Sequence, residues 1–377
     1  MFYKNARIYA SDCRFHHGAF EVTDDGRFGQ VLPDRIPEDA YDLEGATVIP
    51  GLVEVHSHGN SGYDFSDGVY DGLVEMARYY LACGVTSFAP ASMTLPYEVL
   101  EKAFATAHRL AEEAPEGCAR LRGIHMEGPY FSYKKRGAQN PDYLKEPDFE
   151  GFKKLYDGCG GLIRIVDIAP ELAGSADFIR KASRLCTVGI AHTDADYEQG
   201  RTAFAAGATH LTHLYNAMSG ISHRDPGVIP AAAEMPRVRA ELICDGLHVH
   251  PATVRLAFSM FGGERMILVS DSGRCAGMPE GAEFDLGGQT AKVQGGVARL
   301  RDGTIACSAA NLWQCMVNAI SFGVREEDVI RACTANPAAA LGVQSAVGSI
   351  APGKQADFVV CSPDYAKKRV YLAGKLV

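Results

Sequence analysis

The chain has 377 residues, 47% of them hydrophobic and 22% charged, a composition that suits a folded protein with one large domain and one small one. Its formal net charge of −9 excludes a nucleic-acid or anionic-membrane partner, because such surfaces need clustered Lys and Arg. Its apolar runs are too short for a signal peptide or a membrane span, and its 11 cysteines, with no CxxC pair, read as reduced thiols in a cytoplasmic protein.

The first fifty residues carry short strand-like pieces ("FYKNARIY", "GAFEVTD", "FGQVLP", "YDLEG") punctuated by Gly, Asp and Pro. The last thirty, with "GSIAPGKQADFVVCS" and "KRVYLAGKLV", read the same way. Neither end has enough apolar residues for a core of its own, so both are expected to share one small β domain, residues 1–48 with 346–377. Residues 4–10 and 368–377 alternate alike and are expected to pair as neighbours in its sheet.

Between them, short apolar runs alternate with amphipathic stretches such as 73–81 and 176–185, the signature of strand and helix units around a parallel sheet. Eight runs are found: "TVIPGLVEVHSH", "VTSFAPAS", "LRGIHMEG", "LIRIVDIAPE", "TVGIAHTD", "ATHLTHLYN", "RAELICDGLH" and "MILVSDS". Eight units predict an α/β fold, a (β/α)8 TIM-like barrel over residues 49–345. An open doubly wound sheet calls for a Gly-rich phosphate loop after its first strand, and none is present.

In such a barrel, functional groups sit at the C-terminal strand ends. Strand one ends in His56 and His58, which share a face because alternate residues of a strand do. Strand three ends in Glu127, five in His192, six in His213, seven in His248 and eight in Asp271. The imidazoles of His56, His58, His192 and His213 with the carboxylates of Glu127 and Asp271 exceed one tetrahedral ion and suit two, with Glu127 between them. Zn, Fe, Mn and Co all accept this N/O set. Paired ions activate water and polarise a carbonyl, the two tasks of amide hydrolysis, and Asp271 is placed to take the water's proton and pass it to the leaving amine.

Other histidines have plainer readings. His16, His17, His108 and His223 read as surface residues and His210 as a packed strand residue. His125 shares a face with Glu127 and is a candidate support for the ligands, while His250 stays open. The loop "NAMSGISHRDPGVI" after strand six offers Asn216 and Arg224 to a polar substrate, the arginine fork suiting phosphate or carboxylate.

The motifs "PGLVEVHSHG", "GIHMEGPY", "KKRGAQNP", "THLYNAM", "DGLHV", "LVSDS" and "TANPAAALG…GSIAPGKQADFVV", spread in order from residue 49 to 360, resemble those of the N-acetylglucosamine-6-phosphate deacetylases of the amidohydrolase superfamily. The resemblance implies a metal-dependent barrel with a small β-sandwich from both termini. It also implies release of acetate from N-acetylglucosamine 6-phosphate in amino-sugar catabolism or cell-wall recycling. Carried over by motif, Glu127, His192 and His213 match metal ligands, Asp271 matches the acid/base, and His56 and His58 match members that hold two ions. Ala138, Asn216, Ala217, Arg224, His248, Ile305, Ala306 and Cys307 match sugar- and phosphate-binding positions. Relatives use the matching arginine across a dimer interface, so a homodimer is implied, with Arg224 reaching the partner's pocket.

Three residues depart from the pattern. Gln139, a substrate-binding position, stands where many members have a histidine that hydrogen-bonds the acetyl carbonyl. Cys307 replaces a usual glycine, and Glu54 an aspartate. Competing readings are an N-acetylgalactosamine-6-phosphate deacetylase, a cyclic-amide hydrolase, disfavoured because those enzymes usually bridge with lysine, and a silent metal-binding protein, for which a retained proton acceptor serves no purpose.

Overall fold

The computed structural model describes every residue except 287 and 288. Eight strands run parallel and follow chain order: β1 (Leu52–Glu54), β2 (Val85–Phe88), β3 (Ile124–Tyr130), β4 (Ile163–Ile168), β5 (Thr187–Ile190), β6 (His210–Leu211), β7 (Arg239–Ile243) and β8 (Met266–Val269). β3 to β8 form one continuous sheet, and β1 pairs with β2. His125 joins β2 to β3 through an Ala91 bridge, and the Asp271 N–H donates to the His56 carbonyl at 3.0 Å, tying β8 to β1. Each strand therefore has a neighbour on both sides.

Every residue of β3 and β8 is buried, as expected of a parallel sheet covered on its outer face by helices. Helices Tyr70–Ala82, Tyr97–Glu113, Phe149–Gly158, Ser175–Ala182, Tyr197–Ala206, Val228–Ala233 and Pro251–Phe261 follow the first seven strands in turn. The helices expected at 73–81 and 176–185 are the first and fourth of these. Their apolar faces, among them Leu73, Met76, Phe104, Phe178 and Phe258, pack with the strands into one core. No helix among the described residues is long and apolar enough to cross a membrane.

Both termini build one eight-stranded sheet. Its core of Tyr3, Phe20, Phe28, Phe358 and Tyr371 is separate from the parallel strands' core. Neither end supplies this cluster alone, which is why the two combine. The expected pairing of residues 4–10 with 368–377 is corrected, because strands Thr47–Pro50 and Phe358–Cys361 lie between Phe2–Tyr9 and Lys368–Leu372. Alternation marks these segments as strands but carries no information about which strand is next.

Strand Thr47–Pro50 belongs to the terminal sheet and passes through Gly51 directly into β1. A Cβ on Gly51 would stand 2.2 Å from the Thr86 hydroxyl, so only glycine lets the chain turn there from one sheet into the other. A four-stranded antiparallel sheet, Glu283–Leu286 through Ile305–Ser308, follows β8 and was not anticipated. It stands against the open ends of the parallel strands, where a Ser272–Ser308 bridge anchors it.

Candidate active site

The six residues expected to bind metal converge. His192 Nε2 and His213 Nε2 lie 3.1 and 3.0 Å from Glu127 Oε1 and 3.1 Å from each other. His58 Nε2 lies 3.2 Å from the other Glu127 oxygen and 3.4 Å from Asp271 Oδ1, while His56 Nε2 is 3.6 Å from both Glu127 Oε1 and Asp271 Oδ1. Two groups of three potential ligands result, Glu127 with His192 and His213, and His56 with His58 and Asp271. Glu127 lies in contact with both.

Proton bookkeeping supports a cation. His192 Nδ1 faces the Lys135 carbonyl at 3.0 Å, so it donates, and a neutral ring then turns an Nε2 lone pair toward the Glu127 carboxylate. His56 is similar, since Nδ1 contacts Glu241 at 2.8 Å and buried Nε2 has no hydrogen-bond partner. Lone pairs converging on carboxylate oxygens repel unless a positive charge sits among them. Burial opposes protonation of His213, yet Glu127 raises it to about 9, and Glu127 and Asp271 raise His58 against the same penalty. Burial likewise opposes ionisation of Asp271, but the His56 and His58 rings hold its carboxyl well below the usual range. The donor set fits a divalent metal ion.

The backbone holds these groups unusually. His192, His213 and Asp271 have φ of 45°, 29° and 46°, in the left-handed region that aspartate and histidine enter more readily than most residues. Each turns the chain sharply at its strand end and directs the side chain inward.

Above the ligands lies a cavity of about 270 Å³. Ala138, Gln139, Asn216, Ala217, His248, Ile305 and Ala306 line it, as do His58, Glu127, His192, His213 and Asp271. Cys307 and Arg224 do not. Cys307 is buried with its sulfur 3.7 Å from that of Cys275, and Arg224 is exposed on the loop after β6. Gln139 is clamped at both ends, since its amide donates to Glu127 Oε2 at 2.8 Å and its oxygen accepts from Thr94 N at 2.8 Å.

Several supports escaped sequence reasoning. Buried Glu241 on β7 contacts His56 and His210, and buried Asp167 on β4 contacts His125 at 2.9 Å. Asp245 holds His248 Nδ1 at 2.6 Å, and Met93, Gly137 and Thr304 line the cavity. A usable signal existed for two of them: a carboxylate inside an apolar strand ("AELIC", "IVDI") is costly unless it has partners. Glu54 accepts from His56 N and Ser270 N at 3.1 and 3.2 Å, bracing β1 against β8, and burial pushes its carboxyl up to about 8. His250 caps helix Pro251–Phe261, accepting from Ala252 N.

The chain belongs to the amidohydrolase family, whose sequence profile it matches over residues 47–377. It is 36% identical over 349 residues to the N-acetylglucosamine-6-phosphate deacetylase of Bacillus subtilis (strain 168), a match covering 90% of this chain and 88% of the relative. It is 32% identical over 356 residues to the N-acetylgalactosamine-6-phosphate deacetylase of Escherichia coli O157:H7, covering 93% of each. A solved variant of the N-acetyl-D-glucosamine-6-phosphate deacetylase from Mycobacterium smegmatis, in complex with N-acetyl-D-glucosamine-6-phosphate, matches with a TM-score of 0.93 at 32% identity. That match covers 100% of this chain and 98% of that one.

Proposed function

We propose that the protein hydrolyses the acetamide of N-acetyl-D-glucosamine 6-phosphate to acetate and D-glucosamine 6-phosphate. The observation that carries this reading is the convergence of His58, Glu127, His192, His213 and Asp271 on the floor of one cavity of about 270 Å³, with His56 buried directly behind them. The eight parallel strands are read as a (β/α)8 barrel over residues 49–345, and residues 1–48 with 346–377 as a small β-sandwich. The free cysteines suit a reducing, cytoplasmic setting.

Glu127, His192 and His213 would hold one divalent ion, and His56, His58 and Asp271, with Glu127 shared, a second. Bound there, such ions lower the pKa of water and polarise the amide carbonyl. Asp271 accepts the water's proton and returns it to the leaving nitrogen, one carboxylate serving as base and then as acid. Gln139 steadies Glu127 and offers its amide to the acetyl group. Asn216, Ala217, His248, Ala138, Ile305 and Ala306 surround the sugar, with Cys307 packed on Cys275 behind them.

The phosphate needs a cation, yet none of the described residues lining the cavity is Lys or Arg. Exposed Arg224 lies on the loop that begins beside His213. The reading is therefore a homodimer in which Arg224 of each copy binds the 6-phosphate in the other's cavity.

Galactosamine chemistry is the second reading, favoured by the E. coli relative. Acetate release from N-acetylglucosamine 6-phosphate, N-acetylgalactosamine 6-phosphate and unphosphorylated N-acetylglucosamine decides. The highest kcat/KM is expected with the first, and absence of turnover with both phosphorylated sugars refutes deacetylation.

A further inference from the structure

Beneath the cavity lies a buried polar layer that the reaction does not use directly. Its centre is Glu241, on β7 and fully buried. Glu241 Oε2 lies 2.8 Å from His56 Nδ1 and accepts from the His213 backbone N at 3.2 Å. Glu241 Oε1 lies 2.8 Å from His210 Nε2. An ionised carboxylate only accepts, so three N–H groups, one from the end of β1 and two from β6 and the turn after it, meet on one side chain. His56, His125 and Glu241 could be mistaken for a ligand group, since their donor atoms lie within 4.8 Å of one another. Both Glu241 oxygens are occupied by N–H donors, and His125 Nδ1 faces the Val55 carbonyl at 2.9 Å, so these residues do not form a further metal site.

We propose that Glu241 is a positioning residue of the metal centre, fixing His56 as the Nδ1–H tautomer with its Nε2 lone pair aimed between Glu127 and Asp271. The proposal rests on the two-ion reading above. His56 has two ring nitrogens, and a carboxylate at one of them decides which is left to coordinate. The same oxygen restrains His213 at its backbone, so Glu241 touches a ligand from each group. His210 hydrogen-bonds through its ring to Glu241 and meets His125 edge-on.

Two measurements test this on the full chain. In zinc-loaded protein labelled with 15N-histidine, long-range 1H–15N correlation is expected to give His56 the Nδ1–H pattern, and an Nε2–H pattern overturns the proposal. Zinc binding is then measured by competition with a chromophoric chelator. Glu241→Met, similar in length but without an acceptor, is expected to weaken the second zinc equivalent about 10- to 100-fold and leave the first within about threefold. Glu241→Gln, whose oxygen can still face His56 and His213 N, should restore most of that loss. His210→Phe, which breaks the same layer away from His56, should leave both equivalents within about threefold.

Unchanged second-site affinity in Glu241→Met overturns the proposal, as does a Gln variant as weak as Met or a His210→Phe loss as large as that of Met. Wild type that takes up a single equivalent overturns the two-ion reading and the proposal with it. Two equivalents bound with wild-type affinity in Glu241→Met overturn the proposal alone and leave the two-ion reading standing. If Glu241→Met fails to fold, the tautomer measured on wild type decides.

Discussion

Asp271→Asn removes the proposed proton acceptor while keeping the shape of the side chain and leaving the Glu127, His192 and His213 group untouched. The backbone at this position is held independently of the side chain, because Asp271 N donates to the His56 carbonyl at 3.0 Å and Ser308 N donates to the Asp271 carbonyl at 2.9 Å. Asparagine tolerates the φ of 46° as well as aspartate does, whereas a β-branched residue would strain it. The fold and the Glu127, His192 and His213 group should therefore survive. An amide oxygen keeps the shape but does not take up the water's proton, and a general acid/base is worth about two to four orders of magnitude. The expected fall in kcat is thus about 100- to 10,000-fold, a barrier increase of about 3 to 5 kcal/mol, with KM changed by less than about threefold. Steady-state acetate release, with metal content checked on the same sample, reads the effect. A metal-replete Asn variant within about tenfold of wild-type kcat would show that Asp271 is not the proton acceptor.

Further outcomes follow from the same geometry. Elemental analysis should find about two ions per chain, and one in a His56→Gln, His58→Asn double variant; one ion in both proteins would disprove the second site. Arg224→Ala should raise KM for the phosphorylated sugar about 10- to 100-fold and spare the unphosphorylated one, the loss of a charged bidentate contact. Mixing Arg224→Ala with Asp271→Asn chains should restore low-KM activity, and no recovery despite subunit exchange places Arg224 outside the partner's site. In metal-free protein, His213 and His125 have folded-state pKa values of about 9 against 6.5 when unfolded, burial being outweighed by Glu127 and Asp167 respectively. Their stabilisation is complete below pH 6.5 and lost as pH rises through 9, so the metal-free Tm should fall over that window. Metal at His213 should shrink the fall, and a Tm that rises with pH without metal would contradict the assignment.

Much of this site is legible in the sequence because parallel strands are buried on both faces. A histidine or carboxylate that ends such an apolar run stands out, and His56, His58, Glu127, His192, His213 and Asp271 all do. Glu241 and Asp167 are harder to interpret, since their roles depend on His56, His210 and His125, which lie on other strands, and no spacing along one chain encodes those pairings. The 283–308 sheet escaped because it lies beyond the eighth apolar run but inside the 49–345 span assigned to the barrel, where its short alternating segments received no element of their own. Cys307 shows the same limit at the scale of one side chain, as its position in the sequence does not reveal that its sulfur turns toward Cys275.

The direct passage from the terminal sheet into β1 has a consequence for biosynthesis. Strand Thr47–Pro50 pairs with Phe358–Cys361, and His56 beyond it receives its backbone partner from Asp271. On a ribosome, Glu127, His192 and His213 are all available once residue 213 has emerged. The His56 and His58 pocket waits for residue 271, and its supporting strand waits until almost the whole chain has been made. Long-range pairings of this kind form late. Nascent chains should acquire metal at the Glu127 group first, and a polypeptide stalled before residue 271 should hold the ion of that group alone.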